Sequence, residues 1–333
     1  MLVPVLTFFN HKSGVGKTSL VYHLAWMLSD IGYQVLACDL DPQANLTSMF
    51  INEERLEVLW PDNGQRKTIY SALEPLLNGT GEVEKPYLER IAQKLSLIVG
   101  DLMLSATEDA LSSQWLECLE QCPRAFRVIS ALWRILQSGA VDNQTDIVLV
   151  DVGPNLGALN RAVLVATDYV IVPLGADMPS LQGLRNLGAA LQAWRAGWKE
   201  RYDRNPIPDL SMPDGLIQPI GYTVQQHGFR LVRPIQPYDK WVNRMPMEYA
   251  RNLLDDNEGP YAETPEQDQA HALATVRHYR SLMPMAQEAR KPIFHLTPAD
   301  GAIGSHAAAA NDAGKDFKEL AQKIVARIEL GVA

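Results

Sequence analysis

The triplet Gly16-Lys17-Thr18 carries the first chemical signal in this sequence of 333 residues. It follows the apolar run 2–9 and precedes a stretch whose apolar residues recur at helical spacing. In a phosphate-binding loop, backbone N–H groups at a helix N-terminus face phosphate oxygens, the lysine reaches the β and γ phosphates, and the threonine hydroxyl binds Mg²⁺. The stretch FFNHKSGVGKTSL (8–20) therefore predicts a nucleoside-triphosphate site.

The loop departs from the ordinary pattern G-x-x-x-x-G-K-[ST] at its first position. Counting back from Gly16 places that glycine at position 11, where this chain has His11, and a second lysine, Lys12, follows. From the residues alone, Lys12 is either a solvated loop lysine or a second cation meant for the phosphates.

Three aspartates follow predicted buried strands. Asp39 and Asp41 end the stretch YQVLACDLD, and Asp151 follows the apolar residues of DIVLVDV, the pattern of a Walker-B strand. Ligands of open parallel sheets bind beyond the carboxyl ends of the strands, and a Walker-B aspartate holds Mg²⁺, often through water. A strand-end aspartate can instead cap a helix or a turn. Three of them in register with a phosphate-binding loop favour a magnesium–nucleotide site.

The elements that must position these residues alternate between strand and helix. Buried strands are predicted at 2–9, 33–41, 95–100, 146–152, 169–175, 215–224 and 291–298, and helices at 18–32, 124–138, 157–166, 180–200 and 306–329. Such β-α-β order implies right-handed crossovers and a parallel sheet. We therefore expect an α/β fold: a single P-loop NTPase domain with a mostly parallel, twisted sheet and helices on both faces.

That single domain is expected to span residues 1–333. Residues 52–90 are predicted to form a largely helical insertion. The stretches 203–214 and 255–270, rich in proline or acidic residues, are predicted to be surface loops, and neither divides the chain because strand candidates continue after both.

Composition narrows the class of protein without assigning a function. The hydrophobic fraction of 47% and charged fraction of 21% are typical of a globular protein. The start of the chain lacks the features of a signal peptide, and three cysteines without metal spacing are typical of reduced thiols in the cytoplasm. The net charge of −9 argues against a surface that is basic throughout, but it leaves room for a local basic patch.

Three stretches together resemble the ParA/Soj/MinD family of deviant-Walker-A ATPases, and ParA in particular. They are KSGVGKTS (12–19), DLDPQAN (39–45) and DIVLVDVGPNLG (146–157). The family spelling of the loop is K-G-G-V-G-K-T-[ST]. Here Ser13 replaces one glycine, and we expect this small residue to be tolerated. The resemblance runs from residue 2 to about residue 200 and continues more weakly through 215–224 and the last helix, whereas 225–290 departs most.

The resemblance implies a role for each polar residue. Lys12 would be the signature lysine that crosses the interface of an ATP-bound homodimer to the partner's nucleotide, where a cation neutralises charge as an arginine finger does. Asp41 would position the attacking water, so that Lys12, Lys17 and Asp41 act in catalysis. Mg²⁺ would be held by Thr18, Asp39 and Asp151. The residues expected to bind ATP are Lys12, Ser13, Gly14, Val15, Gly16, Lys17, Thr18 and Ser19, with Thr223, Gln225, Thr297 and Pro298 as candidates for the base by their place at later strand ends.

Two further surfaces bear on partners. ParA-type members bind DNA non-specifically as ATP dimers, and this chain has two basic clusters, which a solvated basic face would also explain. The first is Arg195, Lys199, Arg201 and Arg204; the second is Arg230, Arg233, Lys240, Arg244 and Arg251, with Tyr238 and Trp241 among them. The last helix has an apolar stripe at Phe317, Leu320, Ile324 and Ile328. In MinD-like relatives such a helix binds membrane, but Glu319 and Glu329 favour packing on the sheet instead.

The resemblance therefore implies a slow Mg-ATPase that partitions or positions a cargo. It would be cytoplasmic and associated with the nucleoid when ATP is bound, and a ParB-like or cargo adaptor would stimulate its hydrolysis. One alternative is a MinD-like membrane-cycling regulator. The other is an amide-forming synthase of the cobyrinic acid diamide synthase type, which would need a glutaminase domain that residues beyond 200 leave no room for.

Overall fold

One twisted sheet organises the chain. The computed structural model describes residues 2–225, 236–277, 279 and 281–331. In this part of the chain the sheet has eight strands in the order β3-β4-β2-β5-β1-β6-β7-β8. They are β1 (Val5–Phe8), β2 (Val35–Asp39), β3 (Glu89–Ala92), β4 (Leu95–Ile98), β5 (Ile147–Asp151), β6 (Tyr169–Gly175), β7 (Gln218–Gln225) and β8 (Ala272–Val276). Only the β3–β4 pair is antiparallel among the described strands, so the expected single α/β domain with a mostly parallel sheet is confirmed.

Helices connect the strands and cover both faces of the sheet. They are α1 (Lys17–Asp30), α2 (Asn45–Phe50), α3 (Glu53–Leu59), α4 (Ile69–Leu77), α5 (Glu108–Glu117), α6 (Pro123–Ile129), α7 (Ala131–Asp142), α8 (Ala158–Val165), α9 (Met178–Tyr202), α10 (Gln236–Val242), α11 (Met245–Leu253), α12 (Leu282–Ala289) and α13 (Ser305–Gly331). Within the described residues, no helix combines the length and the apolar character needed to cross a membrane.

The central strands are apolar along their whole length because both of their faces are covered. In β5, Val148 and Val150 belong to the core layer beneath α7, α8 and α9, while Ile147 and Leu149 belong to the layer beneath α1 and α13. The stripe of α13 identified in the sequence lies in this second layer. Its members Phe317, Leu320, Ile324 and Ile328 are all at most 6% exposed. This stripe is therefore part of the hydrophobic core, and the packing of the last helix on the sheet, which the sequence favoured, is confirmed.

The prediction of a strand at 291–298 is wrong. The segment instead forms two short 3₁₀ turns, Ile293–His295 and Pro298–Asp300. Pro292 and Pro298 have no N–H to donate to a sheet ladder, which disfavours a strand bounded by them. The described sheet instead ends in β8, and its other edge strand is β3. Neither was predicted, because both are only partly buried and lack a clear apolar pattern.

The helix expected at 124–138 is two helices, α6 and α7, which meet at Ser130. The Ser130 hydroxyl donates a hydrogen bond of 2.7 Å to the carbonyl of Phe126, one turn back. Hydrogen bonds of this kind compete with the helical backbone pattern and bend helices. The insertion expected at 52–90 contains α3 and α4 and ends where β3 begins.

Candidate nucleotide-binding site

The loop after β1 opens at the point where the sheet reverses its order. In the sheet β1 lies between β5 and β6, and α1 begins at Lys17, directly after the loop. Gly14 and Gly16 have φ angles of 71° and 74°, in the left-handed region that glycine adopts without strain. No side chain caps α1, so its first N–H groups remain directed into the loop. This arrangement suits an anion such as a phosphate.

Lys17 is held across this loop. The side chain is 7% exposed, and Nζ lies 3.4 Å from the carbonyl oxygens of Asn10 and Lys12. Burial lowers the pKa of Lys17, and the nearby carboxyl groups of Asp151 and Asp41 partly offset this effect. The ammonium group is thus desolvated and fixed at the centre of the loop, where a phosphate would replace its two long contacts.

Asp39 and Asp151 lie side by side at the carboxyl ends of β2 and β5, where they are register partners. Both are fully buried. Asp39 Oδ2 accepts a hydrogen bond of 2.8 Å from the backbone N–H of Thr47, whereas neither oxygen of Asp151 has a partner among the described residues. Burial raises the pKa of Asp39 to about 7. Burial, and next the charge of Asp39, raise the pKa of Asp151, and the charge of Lys17 offsets only part of this effect.

Two adjacent buried carboxyl groups, one of them without partners, fit a divalent cation. A buried carboxylate that lacks hydrogen bonds is costly unless a cation balances it. The described residues contain no cage of three or more acidic, histidine or cysteine ligands. Mg²⁺ usually takes one or two carboxylates and completes its shell with water and substrate phosphates. The set Thr18, Asp39 and Asp151 matches that habit.

Asp41 lies beyond these two, in the loop after β2. It is 7% exposed, and its Oδ1 accepts a hydrogen bond of 3.0 Å from the backbone N–H of Gln43. The loop after β5 passes close by, since a Cβ added to Gly153 would lie 3.3 Å from Asp41 Oδ1. Asn160 of α8 fixes that loop by donating to the carbonyls of Gly153 (2.9 Å) and Asn155 (2.7 Å). Asp41 is therefore a buried residue of the loop site that is slightly more exposed than Asp39 and Asp151.

The variant Asp151→Asn is expected to stabilise the metal-free protein by about 1–2 kcal/mol, because it removes a buried acid without partners. The folded-state pKa of Asp151 is raised, so wild-type stability falls as pH rises from about 4 towards that pKa, and the gain should grow with pH. Thermal unfolding between pH 5 and 8 in a metal chelator measures this.

The same variant should lose the extra stability that Mg-ATP gives to the wild type. Asp168→Asn is the matched control. Asp168 is also an acid next to a strand, but it lies at the amino ends of the strands, away from the loop, and accepts a hydrogen bond of 2.8 Å from the backbone N–H of Val5. It should keep the Mg-ATP effect. An Asp151→Asn variant that is still stabilised by Mg-ATP would exclude Asp151 as a ligand.

The second lysine is tied to α9. Lys12 Nζ forms an ion pair with Asp177, the N-cap residue of α9, and the Lys12 N–H donates to Asn10 Oδ1 at 2.9 Å. His11, which occupies the position of the usual first glycine, has its Nδ1 3.2 Å from the Asn186 amide of the same helix. Sequence reasoning missed Asn10 and Asp177. No motif could indicate Asp177, since it lies 165 positions from Lys12.

A cavity of about 180 Å³ adjoins the loop on the side of β7 and β8. Its lining combines the loop and α1 with the ends of β7 and β8, the residues after β8, and side chains of α12 and α13: Gly14, Val15, Gly16, Ser19, Leu20, Gln225, Val276, Arg277, Tyr279, Met283 and Phe317. Of the candidates for the base, Gln225 lines this cavity. Thr223 is buried beneath it and accepts a hydrogen bond of 3.2 Å from Gln225.

Thr297 and Pro298 do not line this cavity in the described part of the chain. They form a 3₁₀ turn in which Asp300 accepts hydrogen bonds from the N–H and hydroxyl of Thr297, at 2.9 and 2.7 Å. The sequence analysis did not identify Val276, Tyr279 and Met283. They lie at the end of β8 or after it, and the apolar pattern of the sequence does not reveal this strand. The cavity is mostly apolar and beside the phosphate loop, so it is a candidate for the adenine base.

Filling this cavity with Met283→Trp is expected to weaken ATP binding about tenfold or more, because the base must displace a packed ring. Binding of inorganic tripolyphosphate, which lacks a base, should change little. Calorimetric titration with both ligands measures the difference.

Met285→Trp on the same helix is the control, since Met285 does not line the cavity among the described residues. If Met283→Trp weakened ATP and tripolyphosphate equally, or neither, the cavity would not be the base site.

Most of the basic residues singled out in the sequence are engaged within the chain. Arg195 donates to the carbonyl of Ile217, and the 5% exposed Arg201 donates to the carbonyl of Trp115 at 2.7 Å. Three more are also paired: Arg204 with Glu200 on the surface, Arg244 with the buried Glu248, and Arg251 with Tyr261. Arg230, Arg233 and the side chain of Tyr238 lie outside the described residues.

Two members of these clusters remain available. Lys199 and Lys240 are exposed, and neither has a hydrogen-bond or ion-pair partner in the part of the chain that the structure describes. Lys240 Nζ lies 5.0 Å from the centre of the Trp241 ring. Arg195 and Arg201 are therefore structural residues, and the basic surface is smaller than the sequence indicates.

The order of the sheet, the loop after β1 and the acidic strand ends define a P-loop nucleotide-binding domain. A family model described as an AAA domain matches residues 3–201. The chain belongs to this family, and within it to the ParA-type P-loop ATPases.

Curated relatives support this assignment. The chain is similar to the chromosome partitioning protein ParA of Caulobacter vibrioides, with 29% identity over 250 residues that cover 73% of this chain and 83% of the relative. It is 32% identical over 187 residues to the cell division protein PomZ of Myxococcus xanthus, covering 56% of this chain. The match spans only 50% of PomZ and 54% of a putative replication protein A from Rhizobium rhizogenes.

Solved structures extend the likeness of the fold to nearly the whole chain. A protein from Corynebacterium diphtheriae matches with a TM-score of 0.69 at 22% identity, covering 98% of both chains. The ATP complex of a variant of McdA from Cyanothece matches with a TM-score of 0.63 at 15% identity, covering 97% of this chain and 96% of McdA.

Proposed function

We propose that this protein is an ATP-dependent partition or positioning ATPase. In its cycle, Mg-ATP binding drives the formation of a sandwich homodimer, the dimer binds DNA without sequence preference, and slow hydrolysis returns it to the monomer. A ParB-like or cargo adaptor would stimulate hydrolysis, and the ATP-bound form would be associated with the nucleoid. The relatives, which include a chromosome partitioning protein and a cell division protein, support this class of function.

The observation that carries the proposal is the pair of lysines on one phosphate loop. Lys17 is desolvated at the centre of the loop, whereas Lys12 projects towards α9 and is 26% exposed. A single nucleotide needs one central lysine. A second, more exposed lysine next to the same loop suits a nucleotide brought close by another subunit, where its charge would stabilise phosphoryl transfer.

Hydrolysis would depend on position and charge rather than on covalent chemistry. Asp41, fixed by Gln43 and the loop at Gly153, would orient water towards the γ-phosphate. Lys17 and the N–H groups of the loop would hold the phosphates. Thr18, Asp39 and Asp151 would hold Mg²⁺, which would supply positive charge to neutralise the phosphates. A carboxylate is a weak base for water, so turnover should be slow, as suits a timer.

DNA binding would rest on a limited number of phosphate contacts. Lys199 and Lys240 are the members of the basic clusters best placed for it, because both are exposed and neither forms an ion pair or a hydrogen bond in the described chain. The apolar stripe of α13 is buried in the core, so these four side chains are not available to bind a membrane.

Co-sedimentation with random-sequence DNA in the presence of ATP, ADP or no nucleotide tests this function. The slowed variant Asp41→Ala keeps the ATP state populated. We expect a complex with ATP alone, which weakens steeply as salt rises because each phosphate contact releases counterions.

Lys17→Ala, which should not bind nucleotide, provides the control and should leave DNA in the supernatant in all three conditions. If the wild type and Asp41→Ala ignore DNA in every nucleotide state, the proposed partition role is wrong.

A further inference from the structure

Lys12 is already occupied by its own subunit. Its ammonium group pairs with Asp177, and the two side chains are 26% and 37% exposed. Asp177 divides its two oxygens between two tasks, since Oδ1 accepts the N–H of Ser180 at 2.9 Å as the N-cap of α9 while Oδ2 takes Lys12. Burial acts to raise the pKa of Asp177, but the hydrogen bonds from Lys12 and Ser180 outweigh it, and the pKa is lowered.

The backbone of Lys12 is seated by the same elements. Asn10 is fully buried; its Nδ2 donates to the carbonyl of Pro173 in β6 at 2.8 Å, and its Oδ1 accepts the Lys12 N–H. A Cβ added to Gly183 of α9 would overlap Asn10 Oδ1, so α9 packs directly against the Asn10 side chain that holds the Lys12 backbone. A Cβ added to Gly175 would lie 3.6 Å from Lys12 Nζ. The end of β6 and the start of α9 thus form a site for both the main chain and the ammonium group of Lys12.

We propose that Asp177 holds Lys12 on its own subunit before the ATP dimer forms, so that dimerisation must break the Lys12–Asp177 ion pair. This inference rests on the proposed function, in which Lys12 reaches the nucleotide of the other subunit. Asp177 is fixed at the N-terminus of α9 of its own subunit, and the Lys12 ammonium group must move away from it to reach a phosphate across the interface. The dimer-competent form of each subunit is therefore the one in which Lys12 has left Asp177. Because both subunits must be in this form, the apparent association constant of the dimer is lowered by the square of the fraction that is competent.

The ion pair can be broken without unwinding α9. Ser180 uses the other carboxylate oxygen, so the cap remains when Lys12 leaves. Asparagine is as good an N-cap as aspartate. Asp177→Asn therefore removes the charge that holds Lys12 and keeps the cap, whereas Asp177→Ala removes both. Asp177 acts here as a positioning residue for Lys12, not as a catalytic one.

Sedimentation velocity over a range of protein concentrations, with Mg²⁺ and either AMPPNP or ADP, tests the proposal. With AMPPNP, Asp177→Asn should dimerise at a protein concentration roughly three- to tenfold lower than the wild type, because each dimer no longer has to break two partly exposed ion pairs. In the Lys12→Ala background, Asp177→Asn should change nothing, since no lysine remains to be held.

Asp142→Asn is the matched control, because it removes a surface ion pair, that with Lys85, far from the loop. It should dimerise like the wild type. Equal or weaker dimerisation of Asp177→Asn, with unchanged thermal stability, would overturn the holding role and show that Asp177 instead serves the dimer. A wild type and an Asp177→Asn variant that both stay monomeric with AMPPNP would refute the dimerisation step of the proposed function and this inference with it.

Discussion

Replacing Lys12 with alanine is expected to lower the rate of ATP hydrolysis by about 10³-fold, the lower end of the usual range for an arginine finger. ATP should still bind, because the central cation Lys17 and the loop N–H groups are untouched. The physical reason is that a cation supplied from the second subunit neutralises charge on the γ-phosphate only when the dimer forms. Steady-state hydrolysis and titration with a fluorescent ATP analogue measure the two effects separately.

Lys85→Ala is the matched control for this variant. Lys85 is also a surface lysine paired with one carboxylate, Asp142, at 3.0 Å. Its loss should leave hydrolysis within about twofold of wild type, because surface ion pairs contribute little. Loss of ATP binding by Lys12→Ala would instead place Lys12 on the nucleotide of its own subunit.

Mixing two inactive variants distinguishes the two subunits directly. In a mixed dimer of Lys12→Ala with Asp41→Ala, one site combines an intact Asp41 with the intact Lys12 of the other chain. Hydrolysis should return to the order of a quarter of the wild-type rate, since about half of the dimers are mixed and each has one complete site. No recovery would mean that both residues act on the same subunit.

The fold could be predicted where burial is complete. The apolar run that ends at Asp151 and the run at 169–175 both lie in the middle of the sheet, and β5 and β6 follow these stretches closely. Prediction failed at the edges. β8 has the burial of an edge strand, with Leu273 as its one fully buried member, so its sequence has neither a continuous apolar run nor a clear alternation. The apolar run at 291–298 was misleading because its residues Ile293 and Leu296 are buried although they belong to a 3₁₀ turn and not to a strand.

The residues of the candidate site likewise fall into two groups, those that the sequence could indicate and those that it could not. Local motifs could indicate Lys17, Thr18 and the strand-end aspartates, because each chemistry needs its residue at a fixed distance along the chain. The contacts that hold Lys12 could not be predicted in this way. Asp177 and Gly183 lie at the start of α9 and reach the loop only through the pairing of β1 with β6. The lining of the base cavity depends likewise on where β8 and α12 pack.

Replacing Asp41 is expected to slow hydrolysis by about 10²- to 10⁴-fold, the usual contribution of a group that orients or deprotonates water. Asp41→Asn is the informative form, because the amide oxygen can still accept the Gln43 N–H and preserve the turn. ATP binding and the ATP-dependent dimer should persist, since Asp41 is not among the groups expected to hold the phosphates. Single-turnover hydrolysis of radiolabelled ATP, together with sedimentation in ATP, measures both.

Asp146→Asn is the control for Asp41→Asn. Asp146 also accepts a hydrogen bond from one backbone N–H, that of Gln34 at 2.7 Å, but it lies at the amino ends of the strands, away from the loop. It should hydrolyse ATP normally. If Asp41→Asn hydrolysed ATP at the wild-type rate, the water would have to be oriented by another group. The other strand-end carboxyls indicated by the sequence, Asp39 and Asp151, are fully buried, and either would have to leave the position proposed for it beside Mg²⁺ to reach that water. A trapped, long-lived ATP dimer in Asp41→Asn, in contrast, would separate assembly from hydrolysis, as a switch requires.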